Sequence, residues 1–154
     1  MNQLYPNLVK VPETICSFDF IAFTKNKKIS LPRQWESLKP YSVAIITGWK
    51  ILEENVIARH VVKVDTPQML FNHLDKERVD LIVYNRHEGY GVIHEMNFEH
   101  VFPVEPPLAS RQMFLYLNKK HQVFVHEVAA AIRQMKEDGS FDEIVRHSLE
   151  AYIP

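Results

Sequence analysis

The middle of the chain alternates between short apolar runs and amphipathic segments, and this alternation constrains the fold more than any other feature. The apolar runs are continuous, which suits strands that are buried on both faces. Strands are predicted at residues 43–46, 61–64 and 79–84, and helices at residues 49–56 and from Pro67 to about residue 77. Parallel strands need a crossover of about a dozen residues or more between them, and both crossovers are long enough. The pattern therefore predicts a parallel α/β sheet.

The flanking segments predict further strands and two C-terminal helices. Strand candidates lie at residues 18–23, 91–94, 101–104 and 113–117. A long helix is predicted at about residues 121–138, followed by Gly139, a residue type that often comes directly after a helix. Ser140 and Glu143 have the spacing of a capping box, which predicts that Ser140 caps the last helix. Four apolar residues of that helix are expected to face the core: Ile144, Val145, Leu149 and Tyr152.

Composition and charge exclude several classes of protein. The chain has 154 residues, of which 46% are hydrophobic, so one globular domain or a compact piece of a larger one is expected. Its 18 Lys and Arg residues balance 19 Asp and Glu residues, without the basic excess of a nucleic-acid binder. We therefore predict no nucleic-acid partner. Cys16 is the single cysteine, which excludes an internal disulfide and CxxC motifs.

The sequence shows no motif for export, membrane insertion, metal binding or catalysis. No apolar run approaches the roughly 18 residues of a membrane span, and residues 1–10 lack the pattern of a secretory signal. The chain is expected to be cytoplasmic, or else to have an export segment outside this sequence. The eight histidines are scattered without HExxH spacing, and the sequence has no G-x-S-x-G elbow. We predict no metal, no cofactor and no enzymatic activity.

Three predicted turns follow the carboxyl ends of the predicted parallel strands, where open sheets of this kind bind ligands. Gly48 lets the backbone approach a ligand. The helix after it offers an anion unpaired amides and a positive dipole end, and Lys50 adds charge. The alternative is a tight turn in which Trp49 packs as a surface cover. The candidate ligand-binding residues are Thr47, Gly48, Trp49, Lys50, Thr66, Asn85 and Arg86.

Several segments have the order and spacing of a known family. They are residues 37–45 (SLKPYSVAI) followed by Gly48, Asp65 and Thr66 at a helix start, residues 74–83 (LDKERVDLIV), residues 114–121 (FLYLNKKH) and residues 135–141 (MKEDGSF). In this order, over about residues 18–152, the chain resembles the periplasmic solute-binding proteins of amino-acid-type ABC transporters. Within them it is similar to the two-lobed, type II class called family 3.

The resemblance implies an α/β fold of the type II periplasmic binding protein kind, with one complete lobe on a parallel-type sheet and a partial second lobe. Residues 1–37 would form part of lobe 1 and a crossing strand, residues 38–107 would form lobe 2, and residues 108–154 would form the return strand and C-terminal helices of lobe 1. Family members are usually longer, so the resemblance implies an N-terminally truncated chain. It also implies an extracytoplasmic, periplasmic protein that delivers a small-molecule ligand to an ABC permease.

Two departures from the family pattern bear on the ligand. Trp49 and Lys50 stand where the family usually has Thr or Ser for the ligand carboxylate. Asn85 is the residue nearest to the usual Asp that holds the ligand's ammonium group, and a neutral amide loses that charge pairing. The departures favour an acidic or polar solute over a standard α-amino acid. Lys50, Arg86 and the helix end would suit such a solute, with Trp49 available to stack on it.

An alternative stays open at this point. The same fold could serve as a sensory or interaction module that binds no transported solute. An incomplete lobe 1 leaves an unpaired sheet edge and an apolar face, which a second copy could cover. The sequence thus supports two hypotheses, a solute-binding protein and a self-associating module whose homodimer completes lobe 1.

Overall fold

The computed structural model describes residues 5–149, which form a mixed α/β structure. Its strands are β1 (Leu8–Thr24), β2 (Ser42–Ile46), β3 (His60–Val64), β4 (Leu81–Asn85) and β5 (Phe102–Asn118). Its α-helices are α1 (Lys50–Asn55), α2 (Pro67–Asp75), α3 (Arg86–Glu95), α4 (Val125–Glu137) and α5 (Ser140–Leu149). Short 3-10 helices cover Trp35–Leu38 and Lys119–Phe124. Among residues 5–149, none of the helices has the length and apolar character needed to cross a membrane.

The described residues divide into two compact units. One unit consists of residues 19–110, and the other consists of residues 5–18 and 111–149. The long strands β1 and β5 each contribute residues to both units.

The unit of residues 19–110 contains the predicted parallel strands. In the described part of the chain the strand order is β3-β2-β4-β1-β5. Strand β2 lies between β3 and β4 and is parallel to both. Strand β1 is antiparallel to β4, with Phe20 opposite Asn85. Strands β2 and β4 are buried along almost their whole length, which is why their sequences are continuous apolar runs. The predicted parallel α/β arrangement is confirmed.

Aromatic rings pack closely in the core between this sheet and helices α2 and α3. The buried members of this core are Ile21, Phe23, Ala44, Ile46, Val64, Leu70, Phe71, Leu74, Val79, Ile82, Tyr84, Val92 and Val101. Phe23 is fully buried, and its ring centroid lies 5.4 Å from that of Phe71 and 6.2 Å from that of Tyr90. Such tilted and edge-on pairs add to the stabilisation from burial alone.

The start of α2 agrees with the sequence prediction. Thr66 Oγ1 accepts a hydrogen bond from the Met69 amide at 3.2 Å, and Pro67 is the first helical residue. Thr66 thereby satisfies one of the unpaired amides of the first turn, and Pro67 has no amide hydrogen to satisfy. A threonine followed by proline is enough to fix this boundary because the cap involves neighbours in sequence only.

Residues 91–94 belong to helix α3, so the prediction of a strand there is wrong. Gly89 and Gly91 both disfavour a helix interior. Packing explains the first of them, because a Cβ added to Gly89 would collide with the ring of Phe23. The glycine lets the helix approach the aromatic core, and this tertiary contact outweighs the local propensity.

The unit of residues 5–18 and 111–149 has a small core. Its members are the buried Val11, Ala129 and Ile132, with Ile15, Leu117, Val128 and Phe141 packed against them. Glu13 of β1 pairs with two cations of α4, Arg133 at 2.9 Å and Lys136 at 3.4 Å. Hydrogen bonds from Arg133 and Lys136 hold the pKa of Glu13 below its usual value.

The capping box predicted at the start of α5 does not form. The Ser140 hydroxyl donates to Asp138 Oδ1 at 2.6 Å, and the Glu143 amide bonds to the Gly139 carbonyl at 3.1 Å. The carboxylate of Asp138 also accepts from the Ser140 amide at 2.9 Å. Because the charged Asp138 carboxylate is a strong acceptor only two residues away, it takes the Ser140 hydroxyl, and the Glu143 amide bonds to the backbone instead. Gly139 has φ 81°, as expected directly after the end of α4.

The apolar face of α5 is more exposed than predicted. Ile144 and Val145 were expected in the core, but they are 54% and 36% exposed. The helical spacing places both on one side of α5, but the small core of this unit, as far as the structure describes it, does not cover them. The corresponding expectations for the Leu149 side chain and for Tyr152 lie outside the described residues.

Candidate functional site

The seven candidate ligand-binding residues lie in the unit of residues 19–110, at the carboxyl ends of three parallel strands. Residues 47–50 follow β2, Thr66 follows β3, and Asn85 ends β4 directly before Arg86 opens α3. Since β2 pairs with both β3 and β4 in parallel, the three strand ends share one edge of the sheet. The structure therefore brings the three turns to the edge at which the sequence predicted them.

The groups of the first turn are engaged within the protein. The Thr47 hydroxyl donates to the Val64 carbonyl at 3.1 Å. Gly48 has φ 83°, which favours glycine, and its amide donates to Glu53 Oε1 at 3.3 Å. The same oxygen accepts from Lys63 Nζ at 3.0 Å. The hydrogen bonds from Lys63 and then from Gly48 hold the pKa of Glu53 below its usual value. The Gly48 amide thus binds a carboxylate, and this carboxylate belongs to α1.

Trp49 packs against the core, as in the tight-turn alternative. Its ring is stacked on Tyr84 with centroids 5.0 Å apart and meets Phe20 edge-on at 6.1 Å. Burial and then the neighbouring Glu88 raise the pKa of Tyr84. One face of the Trp49 indole is therefore covered by the protein, and the ring closes this end of the aromatic core.

Thr66 and Asn85 have the same structural role at the ends of β3 and β4. Thr66 Oγ1 accepts from the Met69 amide at 3.2 Å, and Asn85 Oδ1 accepts from the Glu88 amide at 3.1 Å. Each side chain thus uses its oxygen to cap a helix. These caps leave two donors unused, the Thr66 hydroxyl hydrogen and the Asn85 amide nitrogen, and each oxygen keeps one further lone pair.

Asn85 is a buried polar residue with an unsatisfied donor. The residue is 1% exposed, and Nδ2 has no hydrogen-bond partner among the described residues. A buried donor without a partner costs about 1–3 kcal/mol. The cap uses only the Asn85 oxygen, so Nδ2 stays an unused buried donor among the described residues.

Arg86 is held between two carboxylates. Its Nη1 and Nη2 atoms bond to the two oxygens of Glu105, with 3.0 Å between Nη2 and Oε2. Its Nε lies 3.3 Å from Asp19 Oδ2, an ion pair that lacks hydrogen-bond geometry. Burial disfavours the charge of Arg86, but Glu105 and then Asp19 outweigh burial and raise its pKa. Asp19 also accepts from the Ser110 hydroxyl at 2.6 Å.

Sequence reasoning missed the carboxylates that hold the site residues. None of these carboxylates is among the sequence candidates: Glu53 lies in the first predicted helix, Asp19 lies in a predicted strand, and Glu105 follows the strand predicted at residues 101–104. Glu53 is five residues from Gly48 and so had a local signal. Asp19 and Glu105 are distant from Arg86 in sequence, and no pattern in the chain links them to it. Tyr84 was likewise predicted only as part of a strand.

A cavity of about 390 Å³ opens in the same unit, away from the candidate ligand-binding residues. Lys25, Glu77 and Asp80 line it together with apolar Leu74 and Val79. Lys25 pairs with Glu77 at 3.4 Å and donates to the Asp75 carbonyl at 2.7 Å. The positive charge of Lys25 in this cavity is therefore paired within the protein. The cavity includes none of the candidate ligand-binding residues.

Comparison with known proteins places the fold. The chain matches no protein-family model. An uncharacterized protein of Shewanella oneidensis is 25% identical over 145 residues, which are 88% of this chain and 54% of that relative. The amino acid ABC transporter substrate-binding protein AbpA from Streptococcus pneumoniae, bound to L-arginine, superposes with a TM-score of 0.75 and 13% identity, covering 100% of this chain and 66% of that one. The GLUR0 ligand binding core in complex with L-glutamate gives a TM-score of 0.74 and 11% identity, with 93% and 64% covered.

These likenesses confirm the predicted fold class, an α/β fold of the type II periplasmic binding protein kind. The chain spans about half the length of the curated relative and about two thirds of the length of these solved structures. The neighbours are binding proteins, among them amino-acid ABC transporter substrate-binding proteins. The comparisons give no support to the alternative of a sensory or interaction module.

Proposed function

We propose that this chain is part of an extracytoplasmic solute-binding protein that serves an ABC permease. Its ligand is a small acidic or otherwise acceptor-rich solute, held at the carboxyl ends of β2, β3 and β4. The fold supports the general role, because substrate-binding proteins of amino-acid ABC transporters share it. The polarity of the strand ends supports the class of solute.

Asn85 is the single observation that carries the choice of solute. A carboxylate at this position would accept hydrogen bonds from an ammonium group, as the family resemblance implies for its usual Asp. In this chain the Asn85 oxygen is already used by the Glu88 amide, and the buried Nδ2 has no partner among the described residues. A solute oxygen that accepts from Nδ2 would recover the cost of the unsatisfied donor.

The neighbouring groups have the same polarity. Thr66 retains its hydroxyl hydrogen, and the first amides of α3 lack partners within the helix. Arg86, the first residue of α3, carries a positive charge, which is paired with Asp19 and Glu105 in this structure. The positive end of the helix dipole adds to this attraction for a negative group. An acidic solute would therefore find donors at the ends of β3 and β4, on either side of β2.

The test is isothermal titration calorimetry of L-glutamate, L-aspartate, succinate, L-glutamine and L-arginine against the wild-type chain and Asn85→Asp. The variant keeps a good helix cap, because Asp is as effective as Asn in that role. We expect wild-type protein to bind at least one acidic solute. A hydrogen bond to a charged group contributes about 1.5–3 kcal/mol, so Asn85→Asp should weaken that binding at least about tenfold.

Asn118→Asp is the matched control. Asn118 caps the short helix Lys119–Phe124 by accepting from the Lys120 amide at 3.1 Å, so the change adds the same charge at the same kind of position in the other unit. It should leave solute binding unchanged. Failure of every solute to bind wild-type protein, or equal binding by Asn85→Asp, would contradict the proposal.

A second copy of the chain is part of the proposal as a partner. The unit of residues 5–18 and 111–149 exposes Val123 at 70%, Phe124 at 48% and Tyr116 at 40%. Exposed apolar side chains of this kind favour a protein contact. Light scattering at two protein concentrations tests it, and a monomer at both would remove the second copy from the proposal.

A further inference from the structure

We propose that Glu105 is a built-in competitor for the acidic group of the solute at Arg86. In the solute-free protein its carboxylate occupies the outer edge of the guanidinium, and an acidic solute binds there only when Glu105 moves away. Glu105 thus sets the affinity threshold for acidic solutes. This inference rests on the function proposed above.

The geometry of the pair is that of carboxylate recognition. Both terminal nitrogens of Arg86 bond to the two oxygens of Glu105, which is the fork-to-fork arrangement that arginine forms with any carboxylate. A solute carboxylate would make the same two bonds at the same edge. Arg86 is therefore already oriented for an anionic group, and the group bound in this state is a protein side chain.

The two carboxylates at Arg86 differ in how firmly they are held. Asp19 is 29% exposed and accepts a short hydrogen bond from Ser110 at 2.6 Å. Glu105 is 51% exposed, and among the described residues its carboxylate bonds to Arg86 alone. When Glu105 leaves Arg86, its carboxylate breaks no other hydrogen bond among the described residues, and Asp19 remains to orient the guanidinium.

Arg86 also lies next to the unsatisfied donor of the site. It directly follows Asn85, whose Nδ2 has no partner among the described residues. Arg86 and Asn85 belong to the first turn and the cap of α3. Arg86 has donors only, and the group of Asn85 without a partner among the described residues is a donor too. A solute that carries an acidic group and a second acceptor could satisfy both, and Glu105, tethered to β5, supplies only the first.

The strength of the competition depends on the exposure of the pair, in which Glu105 is 51% and Arg86 21% exposed. We use the value for exposed ion pairs, whose paired form is favoured over the separated form by a factor of about 1.4 to 5. If this factor is the equilibrium constant K between the paired and separated forms, the paired form lowers the apparent affinity of the solute by a factor of 1 + K. Releasing Arg86 should therefore strengthen the binding of an acidic solute by about two- to sixfold.

The experiment measures binding of L-glutamate and succinate by calorimetry at low salt, with L-glutamine as the neutral probe. Glu105→Gln should bind the acidic solutes about two- to sixfold more tightly than wild type, with L-glutamine unchanged. Glu99→Gln removes the same charge from an exposed residue of the same unit and is the control for general electrostatics. Thermal unfolding of both variants checks that the fold is retained.

An Arg86→Gln background separates competition from a charge effect. There the Glu105→Gln change should have no effect beyond that of Glu99→Gln, because no guanidinium remains to release. Equal effects of Glu105→Gln and Glu99→Gln in the wild-type background, or weaker binding by Glu105→Gln, would overturn the inference alone. If neither wild type nor Glu105→Gln binds any acidic solute, the proposed function fails, and this inference fails with it.

Discussion

The packing of Gly89 against Phe23 makes a quantitative prediction for Gly89→Ala. A Cβ at this position would meet three atoms of the Phe23 ring within 3.3 Å. Phe23 is fully buried, and its ring is in contact distance of Phe71 and Tyr90, so it has little room to shift. Local propensity predicts the opposite sign, because alanine favours a helix interior over glycine by about 1 kcal/mol.

Overpacking of a rigid core costs about 1–3 kcal/mol. Subtracting the gain in helix propensity leaves about 0–2 kcal/mol of net destabilisation, and the close contacts with the Phe23 ring place Gly89→Ala in the upper half of this range, at about 1–2 kcal/mol. For a chain of this size that loss lowers Tm by about 2–8 °C. The sign of the change therefore decides whether tertiary packing or local propensity controls this helix.

The assay is urea unfolding followed by tryptophan fluorescence. Trp35 and Trp49, the two tryptophans of the chain, both lie in the unit of residues 19–110, so their signal reports the unit that contains Gly89. The control is Phe23→Leu, which removes the ring atoms that the new Cβ would meet. In that background Gly89→Ala should cost nothing or should stabilise by up to about 1 kcal/mol. The reasoning is refuted if Gly89→Ala leaves the free energy of unfolding unchanged or raises it in the wild-type background. It is also refuted if the loss is the same in the wild-type and Phe23→Leu backgrounds.

Two further predictions concern stability in the same unit. Hydrogen bonds from the Ser42 amide and then the Ser42 hydroxyl lower the pKa of Asp80, so its stabilising contribution is present above about pH 4, the unfolded value, and is lost as the pH falls through the lower folded value. Asp80→Asn should reduce the loss of unfolding free energy that urea titrations measure between about pH 5 and pH 2. An unchanged pH dependence in the variant would count against this prediction. Trp49→Ala should destabilise the unit by about 2 kcal/mol, since it removes a half-buried ring stacked on Tyr84; an unaltered urea midpoint by circular dichroism would show that this stack contributes nothing.

The internal carboxylates give the candidate site a common feature. Glu53 binds the Gly48 amide, and Glu105 binds the Arg86 guanidinium. Both pairs use groups that the sequence predicted to attract an anion, and in both the anion comes from the protein. Protein carboxylates thus satisfy the Gly48 amide and the Arg86 guanidinium, while the buried Nδ2 of Asn85 has no such partner among the described residues.

Much of the fold could be predicted because its signals are local. The continuous apolar runs of β2 and β4, the cap formed by Thr66 and the turn at Gly139 each depend on residues within a few positions of one another. The position of the three turns also followed, since parallel strands with helical crossovers must end at one edge. The lobe boundaries and the ligand-binding role of the seven candidate residues stay predictions.

The sequence by itself determined the alternation of strands and helices, the edge at which the turns meet, and the replacement of a charged acceptor by Asn85 at that edge. Only the tertiary structure decided that residues 86–95 form a helix despite two glycines, that Trp49 packs on Tyr84, and that Arg86 is held by Asp19 and Glu105. Periodicity and capping are set by neighbours along the chain. Close packing and ion pairing depend on which strands the sheet places side by side, and that arrangement brings together residues that are far apart in the sequence.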